Sequence, residues 1–262
     1  MIYDCFPFFN ELEILDIRLN TLNNVVDKFV ISESTRTHSN ESKPLYFHEN
    51  RNRWEKFEHK IIHVVIDDMP QGEDHWERER YQRNEMIRGL DNIKDGDSVH
   101  VSDADEISSP VAILRALKKR SRVRISHVCY YYYFNLVANW DWTHAYVMPW
   151  REFKAHHNPT LTHFRHLGCN RKVKGGWHFS YLGGTEQVCK KIKAFAHQEF
   201  NTPETLATIK TAIAKKRSFC DLNTEFTSVV NIDGSYPAYV RDNIEKYRKM
   251  GYVWEGEKVV PL

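Results

Sequence analysis

The chain has no C-x-x-C pair, no apolar run long enough to cross a bilayer, and no surplus of charge of either sign. Each absence closes off a class of protein. The five cysteines, Cys5, Cys129, Cys169, Cys189 and Cys220, are odd in number and far apart. That excludes a complete disulfide framework and offers no paired thiolates for zinc, so a reducing compartment is the simpler expectation. The 37 basic residues are balanced by 35 acidic ones, a net charge of +2, and nothing in that balance calls for nucleic acid. "MIYDCFPFFNELEI" has neither the basic nor the apolar region of a secretory leader, and no stretch approaches the roughly 20 apolar residues of a membrane helix. The expectation is a cytoplasmic protein with no membrane span. Repeats, low-complexity tracts and linkers are also missing, so residues 1–262 read as a single domain with a sizeable core.

What is present is alternation. Ile2 to Phe9 has strand character, and "NELEILDIRLNTL" places Leu12, Leu15, Leu19 and Leu22 at helical spacing with Asn10 as N-cap. "DKFVISES" and "KIIHVVID" read as buried strands. "WERERYQRNEMIRGLDNI" reads as an amphipathic helix with Trp76, Met86, Ile87 and Leu90 inward, and "DSVHVSD" closes the series as a strand. This order predicts an α/β fold with a doubly wound, mostly parallel central sheet flanked by helices. Ligands of such sheets bind beyond the carboxyl ends of the strands, where Glu33, Asp103 and Asp105 are expected. After Pro110 the pattern changes. A helix, "PVAILRALKKR", leads into the aromatic β-rich run "RVRISHVCYYYYFNLV", a His- and Trp-rich stretch, and the helices "TEQVCKKIKAFAHQEF" and "PETLATIKTAIAKK".

The stretch "VHVSDADEISSP" concentrates the chemistry. Two carboxylates in D-x-D spacing at a strand end can point at one hard cation such as Mg²⁺ or Mn²⁺, which take oxygen ligands and leave positions for phosphate. The competing reading is a solvated turn capping the next helix, and Ser109–Pro110 has the form of a helix start. Just upstream, "YQRNEMIRGL" places Arg83 and Asn84 on a helix leading into the same strand. A guanidinium fork there suits phosphate.

Taken together, "FFNELEILDIRLNTL", "DKFVISESTRTHSN", "QRNEMIRGL" and "GDSVHVSDADEI" resemble the nucleotide-binding half of a GT-A glycosyltransferase. With "KPLYF", "KIIHV", "GGWHFSYLGG" and "FAHQEFNTPE", the blocks resemble glycosyltransferase family 17 from about Ile2 to Glu204. The resemblance implies a metal-dependent, inverting transfer of a sugar from a nucleotide donor, UDP-GlcNAc above all, to a glycan or glycoconjugate acceptor in β-1,4 linkage. It implies that Asp103 and Asp105 hold Mn²⁺ or Mg²⁺ against the diphosphate with His178 completing the shell. Glu33 would contact the uridine, and Arg83 with Asn84 would line the donor site. Residues about 1–110 would form the nucleotide-sugar half, and about 111–262 the acceptor half with the C-terminal helices. A carboxylate must take the acceptor proton. Glu186, Asp141 and Glu199 are candidates, with Glu186 preferred and the ordinary preference of acids for a helix N-terminus as its rival explanation.

Trp140, Trp142 and Trp177 are candidates for stacking on acceptor sugars, since loop-like sequence surrounds them. "YYYYFNL" fits core and sheet surface better, "LKKRSRVR" a solvated helix end, and "HHNPTLTHFRH" fixes no tetrahedral zinc spacing. Two other functions fit a related fold. A sugar-1-phosphate nucleotidyltransferase needs a glycine-rich loop after the first strand, where this chain has "FPFFNELEI". A non-catalytic sugar-binding module would keep the site without turnover.

Overall fold

In the computed structural model, which describes residues 1–226 and 228–256, the first hundred residues fold as their alternation predicts. Strands β1 (Ile2–Phe8), β2 (Lys28–Ser34), β3 (Ile61–Ile66) and β4 (Ser98–Val101) lie parallel in the order β4-β1-β2-β3. Parallel neighbours need crossovers. These are α1 (Leu12–Leu22), the short α2 (Tyr46–Asn50) with a following 3₁₀ turn, and α3 (His75–Asn84). Side chains alternate across a strand, so Phe6 and Phe8 meet Leu15, Leu19 and Leu22 of α1 on one face. Tyr3 and Cys5 meet Met86 and Leu90 on the other.

Two local expectations are corrected. Helix α1 starts at Leu12 with Glu11 in the cap position and no side-chain cap, because the Asn10 amide pairs with Gln187 instead, at 2.7 Å. Ile87 turns outward and Trp76 lies at the cavity wall against the His197 ring, each 40% exposed. The inner places on α3 go to Arg78, Gln82 and Arg83, since Gln82 and Arg83 line a cavity there and Arg78 donates to the His38 and Gly72 carbonyls at 2.6 Å each.

The remainder of the chain supplies β5 (Glu106–Ser108), α4 (Pro110–Leu117), β6 (Val123–Tyr131), β7 (Leu136–Trp142), β8 (Tyr146–Pro149), α5 (Trp150–Lys154) and α6 (Leu161–His166). These are followed by β9 (Lys172–Ser180), α7 (Gly184–Ala194), α8 (Pro203–Ala214), β10 (Ser228–Val229), α9 (Ala238–Asp242) and α10 (Ile244–Lys249). Here the mostly parallel expectation fails. β8 runs antiparallel to β4 and β6, β7 to β6 and β10, and β5 to β9, while β9 alone is parallel to β6. The link from β6 to β7 is four residues long, and so short a link permits only an antiparallel return; β7 and β8 then run one after the other along β6. The result is one large mixed sheet flanked by helices, continuous across residue 110 and forming a single domain. Residues 257–262 of the expected acceptor half lie outside the described residues.

The aromatic run packs as core. Tyr131 and Tyr132 join Phe226, Phe219 and Leu136 in one buried cluster. The strand breaks at Tyr132, which takes a φ of 65°.

Candidate active site

The carboxyl ends of β1 and β4 open into a cavity of about 640 Å³. Along one side lie Pro7, Phe8, Phe9, Arg36, His38 and Lys43 from the ends of β1 and β2. The far end is made by Tyr131, Trp140, Trp142, Ser218 and Cys220, and the D-x-D loop between β4 and β5 supplies Asp103, Ala104 and Asp105.

The loop is shaped from beneath by one side chain. Arg18 of α1 is fully buried and donates to both oxygens of Asp4 at 2.8 and 2.6 Å and to Ser102 Oγ at 2.6 Å. It also donates to the carbonyls of Asp103, Ala104 and Glu106 at 2.8, 3.2 and 3.1 Å. Burial works against the charge of Asp4, but Arg18 and then His100 outweigh it and hold the carboxyl at about 2. From Asp4 a buried chain of hydrogen bonds continues. His100 Nδ1 meets Asp4 at 2.7 Å, His100 Nε2 meets Ser108 Oγ at 2.8 Å, and Ser108 Oγ meets His127 Nε2 at 2.9 Å. Burial pushes His127 down to about 3, which keeps it neutral.

Above this floor each acid has its own cations. Asp103 accepts from Arg83 at 2.6 Å and Arg165 at 2.5 Å. Asp105 accepts from Lys191 at 2.8 Å and lies 3.5 Å from His178 Nε2. Burial opposes a charge on His178, yet Asp105 outweighs it and pushes the imidazole up to about 10. The Asp105 carboxyl is correspondingly held well below the usual range, burial being overcome by Lys191 and His178. Glu106 faces away from the cavity. It accepts two bonds from Arg165, at 2.7 and 2.9 Å, one from the Asp103 backbone N–H at 2.9 Å, and one from the Trp142 indole. It supports the loop.

The structure therefore brings Asp103, Asp105, His178 and Arg83 to one cavity together with Trp140 and Trp142, and leaves Glu33, Asn84, Asp141, Glu186, Glu199 and Trp177 outside its lining. Glu33 is fully buried, accepting from the Phe47 N–H at 2.9 Å and meeting His63 at 3.1 Å. Lys43, 3.8 Å away, is its link to the cavity wall. Asn84 accepts from the Thr162 N–H at 3.0 Å, joining α3 to α6. Asp141 points to the opposite face of β7, where it pairs with Lys174 at 3.0 Å. Glu186 sits exposed in the first turn of α7, away from the buried side that carries Val188 and Ile192. Glu199 pairs on the surface with His197 at 2.6 Å. Of the tryptophans, Trp177 is core and donates to the Ser235 carbonyl, whereas Trp140 and Trp142 line the cavity.

Several cavity residues escaped the sequence reading. Arg165 hides in a histidine-rich segment and Lys191 among the lysines of α7, and no spacing distinguishes them. Glu79 pairs with Arg83, which overcomes burial and holds it at about 2. Glu11, at the end of β1, accepts from the N–H groups of Phe9 and Asn10 at 3.2 and 3.1 Å. Arg18 did leave a signal, since it falls between Leu15 and Leu22 on the apolar stripe of α1.

Among the described residues, no group of three or more His, Cys, Asp or Glu side chains converges as a metal ligand set. The carboxylates of the D-x-D loop are neutralised by the chain's own cations, so the residues as arranged do not fit the Mn²⁺ or Mg²⁺ site expected on Asp103, Asp105 and His178. A divalent cation would have to take Asp105 from Lys191 and His178.

The profile of glycosyltransferase family 17 matches residues 1–248. The chain belongs to this family. It is a glycosyltransferase, and the rival reading as a nucleotidyltransferase loses its main support. Curated relatives agree. A stretch of 113 residues is 34% identical to the human Beta-1,4-mannosyl-glycoprotein 4-beta-N-acetylglucosaminyltransferase, covering 40% of this chain and 21% of that protein. The rat protein of the same name gives 34% and the mouse protein 33% over the same length. The matched stretch thus spans about a fifth of the relatives' length. No helix among the described residues is long and apolar enough to cross a membrane.

Proposed function

We propose that this chain transfers N-acetylglucosamine from UDP-GlcNAc to a hydroxyl of a mannose-containing glycan, with inversion, on a scaffold of the GT-A type. The observation that carries the reading is the meeting of Arg83, Arg165 and Lys191 around the D-x-D loop in one cavity. The names of the relatives support the donor sugar and the acceptor class. The parallel order β4-β1-β2-β3 ends at the cavity, which supports a nucleotide on the β1 and β2 side.

Inversion is a single in-line displacement. The acceptor oxygen attacks the anomeric carbon as the bond to the diphosphate breaks, and the leaving electron pair goes to a phosphate oxygen. Guanidinium and ammonium groups aimed at that oxygen stabilise the developing charge. Arg83, Arg165 and Lys191 are this chain's groups for the task. The acceptor proton passes to a carboxylate at the cavity wall. Glu11 is the lining acid with no cation at hydrogen-bond distance, Lys191 lying 3.7 Å away, and it takes the role of base in this reading.

The test is UDP release and product formation from UDP-GlcNAc, UDP-glucose, UDP-galactose and UDP-xylose with a mannose-containing glycan, run with Mn²⁺ and with EDTA. UDP release from UDP-GlcNAc that is lost in Lys191→Met supports the proposal, and the EDTA arm reads the metal requirement directly. Binding of nucleotide sugar without turnover would leave a sugar-binding module. Binding of none would refute the reading.

A further inference from the structure

Three segments of sheet order the cavity in space. β1 and β2 bound one side, the D-x-D loop leaves from β4 in the middle, and β6 and β7 bound the far end. If the nucleotide takes the β1 and β2 side, the acceptor enters at the far end, and Trp140 and Trp142 stand there together. They are two apart on β7 and line the same cavity, while Asp141 between them faces away. Their situations differ. The Trp142 indole is bonded to Glu106, and its ring lies 4.6 Å from those of His178 and His144, so it borders the D-x-D loop. Trp140 is one strand repeat further out, about 7 Å along β7. It is 40% exposed within the cavity wall and backed by the Phe226 ring at 5.7 Å. Its indole N–H has no hydrogen-bond partner among the described residues.

We infer that Trp140 is the stacking platform for a second sugar ring of the acceptor, one unit beyond the ring that reacts. This rests on the glycosyl-transfer reading above. The geometry supplies what such a subsite needs. A pyranose presents a face of C–H groups, and an exposed indole held rigid from behind offers a large apolar surface at little entropic cost. The offset of one strand repeat beyond Trp142 matches the advance of one sugar along a chain whose reacting unit lies beside the D-x-D loop. The free indole N–H and the Ser218 hydroxyl at the same end are placed for sugar hydroxyls.

The experiment compares methyl mannoside with a trimannosyl oligosaccharide as acceptors, in wild type, Trp140→Ala and Trp140→Phe. Wild type should show a KM for the oligosaccharide about tenfold below that for the monosaccharide. Trp140→Ala should erase that advantage and leave the monosaccharide KM and the acceptor-free release of UDP unchanged, whereas Trp140→Phe should keep most of it. Calorimetric titration of the oligosaccharide without donor should show the same order of affinities, and it reads the subsite even if UDP-GlcNAc proves the wrong donor. An unchanged oligosaccharide KM and affinity in Trp140→Ala, or an equal rise for both acceptors, would overturn the assignment.

Discussion

Replacing Arg18 by methionine tests the claim that a buried cation shapes the D-x-D loop. The substitution keeps the volume and removes the charge. It strands Asp4, which is fully buried, and takes the donor from three loop carbonyls and Ser102. Breaking a buried pair by removing one partner costs about 3–5 kcal/mol. The carboxylate gives a second measure. Asp4 is held at about 2 against an ordinary 3.8, which is about 2.5 kcal/mol of preference for the folded environment. For a chain of this size each kcal/mol moves the melting temperature by about 2–4 °C, so Arg18→Met should melt about 6–20 °C lower. Adding Asp4→Asn removes the stranded charge, and the double variant should recover about 2 kcal/mol or more relative to additivity. The assay is thermal melting at neutral pH for the two single variants and the pair. A shift below about 3 °C for Arg18→Met, or strict additivity, would refute the reasoning.

The same pair predicts acid behaviour. Because folding depresses the Asp4 pKa, its stabilisation is complete above the ordinary value near 4 and is lost as pH falls through about 2, so urea midpoints should drop across that window in wild type and much less in Asp4→Asn. Glu11→Gln should lower kcat by about 10²–10⁴-fold if Glu11 is the base, while Glu186→Gln and Asp141→Asn should stay within a few fold; the reverse pattern would return the role to α7 or β7. Gly176→Ala should be strongly destabilising, since the residue has φ +129° and a Cβ there would lie 2.5 Å from the Ile107 carbonyl and 2.8 Å from the Ser108 Cα; a melting temperature equal to wild type would contradict the tight pairing of β5 with β9.

What the sequence disclosed was whatever is written in local periodicity. Strands β1 to β4 and helices α1, α4, α7 and α8 follow from apolar spacing and from caps such as Ser109, whose hydroxyl accepts from the Ala112 N–H. The D-x-D motif was legible because it sits where a strand ends. The mixed half was not, because the aromatic run across Tyr130–Phe134 has no glycine or proline to mark the turn at Tyr132, and only the pairing of β6 with β7 reveals the reversal. The partners of the acids were hidden for the same reason. Arg83 reaches Asp103 across 20 positions, Arg165 across 62, and Lys191 reaches Asp105 across 86. No spacing rule spans such distances.

Asp4, His100 and Ser108 have the connectivity of a hydrolytic triad, yet all three are sealed from solvent. Their role is mechanical. Through His127 the chain of bonds ties β1, β4, β5 and β6 into one crossbar directly under the D-x-D loop, and Arg18 fastens the loop to the same bar. The acids are thereby clamped at both roots while their tips face the cavity. The backbone that carries the acids is thus fixed by bonds that no ligand in the cavity has to break.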